Sequence, residues 1–217
     1  MKKKSNKFLF AGMICIILFA VWTALIQIVD VQHIGPCGTA VGFATWNDMF
    51  HKMTGVHMTI YTVTDWLGLV PVFVCMIFAS LGFVQLVKRR SLLKVDSDIL
   101  ILGMYYVIVV MGYLMFEMIP INYRPILIEG RLEASYPSST TLLVLSVMPT
   151  LMEQVNRRLR NGMLKKVLLT LTLIFSAGMV IGRLVSGVHW FTDIVGAILL
   201  CTGLFCLYKA AILAADK

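Results

Sequence analysis

Six runs of about 20 apolar residues, separated by short charged gaps, leave this chain few folds to choose from. They lie at Phe8–Val29, Trp66–Val87, Ile99–Ile119, Pro137–Val155, Leu164–Gly182 and Trp190–Tyr208. A run of that length crosses about 30 Å of hydrocarbon as an α-helix, which satisfies its own backbone hydrogen bonds where water is absent. The composition agrees, with 59% hydrophobic and 14% charged residues and a mean hydropathy of +0.87. A soluble domain is excluded. The expected fold is all-α: a polytopic membrane protein, a six-transmembrane helical bundle forming a single membrane domain over residues 1–217. The first run is long and has no small-residue cleavage site after it, so it reads as a retained helix rather than a signal peptide. The fourth is the weakest, because Pro149 should kink it and Glu153 limits its inner end.

A formal charge of +8 would suit nucleic acid, but the basic residues sit in the gaps between apolar runs. Fifteen of the 19 fall in alternate gaps and at the two ends, from Lys2 and Lys88–Arg90 to Arg157–Lys166, Lys209 and Lys217. Only Lys52, Arg124, Arg131 and Arg183 lie on the other side. The positive-inside rule then places both termini in the cytoplasm of a multi-pass cell-membrane protein, with Asn122–Tyr136 and Arg183–Asp193 facing outward. The expected partners are the bilayer and a membrane lipid, and no nucleic acid. Of five cysteines only Cys37 lies in a loop, so no disulfide framework or metal-ligand spacing is present and no cofactor is expected. The first outer loop, Asp30–Asp65, contains Val41, Trp46, Met49, Phe50 and Met53 close to one helical face, which predicts a short helix lying in the membrane interface. His51 and His57 flank it and read as solvated rather than catalytic.

The outward segments carry the chemistry. Gly182-Arg183-Leu184-Val185-Ser186-Gly187-Val188-His189-Trp190-Phe191-Thr192-Asp193 breaks two apolar runs with an arginine, a histidine and an aspartate. If a helix begins near Val188, the i,i+4 spacing puts His189 and Asp193 on one face. An imidazole oriented by a carboxylate is a competent nucleophile, and an adjacent guanidinium holds phosphate bidentately. Ionisable groups beside hydrocarbon are costly, so three together point to a site; an ion-pair cluster anchoring a helix end is the alternative. Arg124 is a second guanidinium on the same side. The fourth run opens Tyr136-Pro137-Ser138-Ser139-Thr140-Thr141, a strong helix start whose free amides carry the positive end of the helix dipole. Phosphate binding there and plain N-capping by Ser138 use the same geometry.

In order and spacing these segments resemble the type-2 phosphatidic-acid phosphatase family, with signatures K-x-x-x-x-x-x-R-P, P-S-G-H and S-R-x-x-x-x-x-H-x-x-x-D. Here they read Glu117 to Arg124-Pro125, Pro137-Ser138-Ser139-Thr140, and Gly182-Arg183 to His189 and Asp193. The resemblance covers a phosphatase-like core at residues 99–208. It implies that His189 attacks phosphorus to form a phosphohistidine, that Asp193 orients it, and that Arg124, Arg183, Ser138, Ser139, Thr140 and nearby amides hold the phosphoryl oxygens. The substrate class it implies is a lipid phosphate, hydrolysed at the outer face.

Two departures bear on turnover. The family's lysine is Glu117 here, and the second-signature histidine, which protonates the leaving oxygen, is Thr140. General acid catalysis contributes about 100- to 10,000-fold, and a threonine hydroxyl is too weak an acid to replace it. Three accounts follow. A lipid diphosphate, such as an isoprenoid diphosphate, would leave as a phosphate with a pKa near ~6 and need little protonation. Glu117, if buried at its helix end, would keep a proton and act as the acid. Or the chain is a catalytically impaired lipid-phosphate binder or transport-related protein of the same fold. Glu117 would also be placed to pair with Arg124 or Arg183.

Overall fold

The structure, a computed structural model, describes residues 2–160 and 162–216. Every regular element among them is helical: α1 (Lys2–Ile28), α2 (Ala44–Thr54), α3 (Met58–Leu67), α4 (Leu69–Arg89), α5 (Ser97–Met118), α6 (Ser139–Arg158), α7 (Gly162–Val185) and α8 (Phe191–Ala215). The all-α expectation holds. Among the described residues, five helical stretches are long and apolar enough to cross a membrane: α1, α3 and α4 taken together, α5, α7 and α8. The second therefore starts at Met58, well before the Trp66 expected from hydropathy, because α3 runs into α4 through Gly68 in a helical conformation.

The exception is α6, and its burial explains why. It packs against α4, α5, α7 and α8, and it buries Thr140, Thr141, Ser146, Thr150 and Gln154. A helix enclosed by other helices need not present an apolar surface to lipid, and its polar side chains can bond to its neighbours. Tyr106 Oη and Thr150 Oγ1 are 2.8 Å apart, and Tyr105 Oη donates to Ser146 O at 3.1 Å. The helix is continuous through Pro149.

The basic gaps gather at one end. Ser5 Oγ donates to Ala210 O at 2.9 Å, which sets the start of α1 beside the end of α8. Arg157 at the end of α6 donates to Asp216 at 2.7 Å, and Arg158 donates to Asp98 at 2.7 Å. Lys209 pairs with Glu153. The Lys217 assignment lies outside the described residues. The opposite end holds the 122–136 and 183–193 segments: Trp22 Nε1 on α1 reaches Thr192 O at 3.2 Å, and Tyr136 Oη lies 2.7 Å from Thr23 Oγ1.

α1 crosses α8 closely. A Cβ built on Gly203 would lie 2.8 Å from Ile16 Cδ1 and 3.2 Å from Ile16 N, so the helices touch because Gly203 has no side chain. Small residues give such close approach where no hydrophobic force drives helices together in lipid. Replacing Gly203 by valine should lower the thermal unfolding temperature of the detergent-solubilised protein, by an overpacking cost of about 1–3 kcal/mol; an unchanged melting curve would show that the crossing tolerates a side chain.

Candidate active site

His189 sits in the turn between α7 and α8, and the chain there is shaped by close backbone contact. Gly187 has φ +70°, and a Cβ on it would fall 2.0 Å from Gly55 O. His57 N donates to Ser186 O at 3.0 Å. The turn is thus docked on the loop joining α2 and α3.

Asp193 is the third residue of α8 and reaches back to accept Trp190 N at 2.9 Å, which fixes the helix start. It also accepts Asn122 Nδ2 at 3.3 Å. Asn47 of α2 grips the same helix start: its amide donates to Thr192 Oγ1 at 3.0 Å and accepts from Thr192 N at 3.3 Å. Hydropathy gave no sign of this role. α2 is the short helix expected in the first outer loop; it turns Trp46, Met49 and Met53 outward and Asn47 inward. His51 packs its ring against Trp190 at 5.6 Å between centroids, and burial pushes its imidazole pKa down.

Of the predicted phosphate-binding groups, Arg124 and Arg183 meet beside the Tyr61 ring, with Arg183 on His189. Arg183 Nη2 lies 3.2 Å from His189 Nε2. Guanidinium only donates, so Nε2 carries the lone pair and the ring proton is on Nδ1. Nδ1 lies 3.7 Å from Asp193 Oδ2, longer than a hydrogen bond, so the carboxylate stands beside the ring without bonding to it. Burial, reinforced by the Arg124 and Arg183 charges, holds the His189 pKa well below the usual histidine value. The imidazole is therefore neutral near pH 7, as a nucleophile must be.

Ser138 precedes α6, and its amide donates to Asp193 O at 3.3 Å, tying the two helix starts together. Its hydroxyl is fully buried and makes no capping bond. Arg124 Nη1 and Arg183 Nε are likewise buried without a protein partner. Unpaired buried donors are rare and mark a place where something else bonds. Ser139 and Arg124 line a polar cavity of about 340 Å³ with Tyr113, Glu117, Glu133 and Ser135. Thr140 is buried and faces a different cavity, of about 310 Å³, with Asp65 and Ser139.

Glu117 departs from expectation. It is exposed at the end of α5, so the burial that would have made it an acid is missing. It also does not pair with either arginine. Glu133 takes that place at Arg124, with Oε2 3.0 Å from Nε, and Asp65 approaches Arg183 at 3.7 Å. Glu133 reaches Arg124 because the 122–136 segment folds back on itself, Arg124 N donating to Glu133 O at 3.1 Å. No spacing rule would have paired these residues.

The PAP2 superfamily model matches residues 72–216. A crystal structure of a transmembrane PAP2-type phosphatidylglycerolphosphate phosphatase from Bacillus subtilis has the same fold, with a TM-score of 0.68 over 96% of this chain and 98% of that one, at 16% identity. No curated protein matches the sequence. With the family signatures gathered at one end of a helical bundle and the family model spanning most of the chain, this protein belongs to the PAP2 superfamily and is by family a membrane phosphoric ester hydrolase.

Proposed function

We propose that this chain removes phosphate from a lipid diphosphate at the outer face of the cell membrane, through a phosphohistidine on His189. The observation that carries the reading is the 3.2 Å approach of Arg183 to His189 Nε2. It sets a guanidinium, which would bind phosphate, beside the lone pair that would attack phosphorus. Phosphoryl transfer depends chiefly on positioning and on stabilising spread negative charge, which Arg124, Arg183, the Ser138 hydroxyl and the α6 amides would supply. When phosphate draws Arg183 off Nε2, His189 is free to attack. A hydrogen bond from Nδ1–H to Asp193 would then stabilise the positive ring as the N–P bond forms and the P–O bond to the departing lipid phosphate breaks; water would next attack the phosphohistidine, break N–P, release inorganic phosphate and return the neutral ring.

A lipid substrate is supported by what lies below the site. The cavity beside Thr140 is lined by Leu69, Val72 and Val109 and meets, at Val72, an apolar cleft of about 880 Å³ between α4 and α5. A hydrocarbon chain fits such a groove. The diphosphate is favoured over a monoester by the side chains present: Thr140 cannot serve as an acid, and Glu117 is exposed, so the leaving group has to depart with little protonation. A second reading, a lipid-phosphate binder without turnover, draws on one observation: carboxylates of Glu133 and Asp65 already stand against the two guanidiniums.

Release of inorganic phosphate from a long-chain isoprenoid diphosphate, phosphatidate and phosphatidylglycerophosphate separates these readings. The diphosphate should turn over about 100- to 10,000-fold faster than the monoesters, the usual worth of a general acid. His189→Ala should abolish turnover, and Glu117→Gln should leave it within about 3-fold, as for an exposed side chain with no role in the proton transfer. Lipid-phosphate binding with no turnover of any substrate would establish the binder.

The neutral state of His189 has a consequence for stability. Below about pH 6.5 an unfolded chain protonates this imidazole while the folded chain resists, so the folded state loses stability as pH falls. The unfolding temperature in detergent should therefore drop between about pH 7 and pH 5, and His189→Gln should flatten that slope. An equal slope in the variant would mean that His189 is not the group responsible.

A further inference from the structure

We infer that Tyr61 of α3 is a positioning residue that holds Arg124 and Arg183 together as one anion clamp. The inference rests on the phosphate-binding reading above and adds an element that lies outside residues 72–216, the stretch matched by the family model.

The geometry is that of one ring serving two cations. The Arg183 guanidinium carbon lies 4.9 Å from the centre of the Tyr61 ring, and that of Arg124 lies 5.8 Å from the same ring. Both distances are within the range in which the negative face of an aromatic ring attracts a cation. Two guanidiniums that share a site repel each other, and something must offset that before phosphate arrives. The nearby carboxylates, Glu133 at 3.0 Å from Arg124 Nε and Asp65, offset it only in part. Asp65 is 59% exposed and stands 3.7 Å from Arg183, and Glu133 is 37% exposed, so water screens both. Tyr61 is half-buried. Guanidinium is weakly hydrated and planar, and it stacks on such a ring at little desolvation cost.

The rest of α3 is built to keep that ring in place. Thr64, one turn on, accepts Arg183 Nη1 at 3.5 Å, so Tyr61, Thr64 and Asp65 meet Arg183 from one face at i, i+3 and i+4. Tyr61 N donates to His57 O at 3.0 Å, and His57 N to Ser186 O at 3.0 Å, which joins the first turn of α3 to the His189 turn. The close packing of α3 on α7 depends on Gly182. A Cβ there would lie 2.7 Å from Thr64 Cγ2, and the family signature has serine at this position. With glycine in its place, α3 can press Thr64 and Tyr61 onto the base of Arg183.

The test compares wild type with Tyr61→Phe, Tyr61→Leu and Tyr61→Met in detergent, using orthovanadate as the anion and the NMR titration of the His189 ring as a second readout. Tyr61→Phe keeps the ring face and should bind vanadate within about 2-fold of wild type. Tyr61→Leu and Tyr61→Met keep apolar bulk without the ring. They should weaken vanadate binding about 5- to 30-fold, the worth of two cation–π contacts, and raise KM for the lipid more than they lower kcat. With the guanidiniums splayed away, His189 should also titrate at higher pH than in wild type. Unchanged vanadate affinity and unchanged His189 titration in a folded Tyr61→Leu or Tyr61→Met protein would overturn the inference. Failure of wild type to bind vanadate, with His189 still shifted in those variants, would overturn the phosphate reading and leave the role of Tyr61 standing.

Discussion

Arg183 is 1% exposed at the end of a helix whose other faces suit hydrocarbon. A guanidinium so buried is tolerated only if its charge and its donors are met by the protein or by a ligand. Here His189 takes one nitrogen, Thr64 another, and Tyr61 covers the face, while Nε stays without a partner. The surrounding structure follows from that demand. α3 must pack close enough to bring Thr64 and Tyr61, and Gly182 must be small enough to let it. The His189 turn must hold its ring toward the guanidinium.

The second requirement is a rigid start to α8, since His189 is only two residues before it. Three separate segments meet that need. Asp193 holds the amide of Trp190, Asn47 brings α2 to Thr192, and Asn122 and the Ser138 amide bring the ends of α5 and α6 to Asp193. α2, whose Trp46, Met49 and Met53 side chains are exposed, is thereby tied to the helix that carries Asp193. The polar groups of α6 are enclosed by the spanning helices, so the bundle accommodates a helix that lipid would reject.

The same geometry explains how the chain can depart from its family signatures and keep their arrangement. An exposed Glu117 stands at the end of α5 and pairs with neither arginine. The buried positions, Arg124, Arg183, Ser138, His189 and Asp193, retain the signature chemistry. In the proposed reaction the altered feature is the proton supply to the leaving group, a property of the substrate as much as of the protein. A good leaving group makes that loss small.

Much of this was legible in the residues alone. Span length and apolarity follow from the thickness of hydrocarbon, and the lysines and arginines cluster in alternate gaps, so the all-helical fold and the shared end of the 122–136 and 183–193 segments needed no coordinates. Arg124, Ser138, Arg183, His189 and Asp193 were legible because motif spacing survives folding. The continuation of α3 into α4, the exposure of Glu117, the carboxylates of Glu133 and Asp65 and the ring of Tyr61 were not. Each depends on how far a helix is rotated and how closely it approaches its neighbour, quantities set by packing between residues far apart in the chain. Local sequence determined which groups reach the same end of the bundle; only tertiary packing decided which of them touch, because a contact of 3–5 Å between helices is fixed by side-chain volumes on both of them.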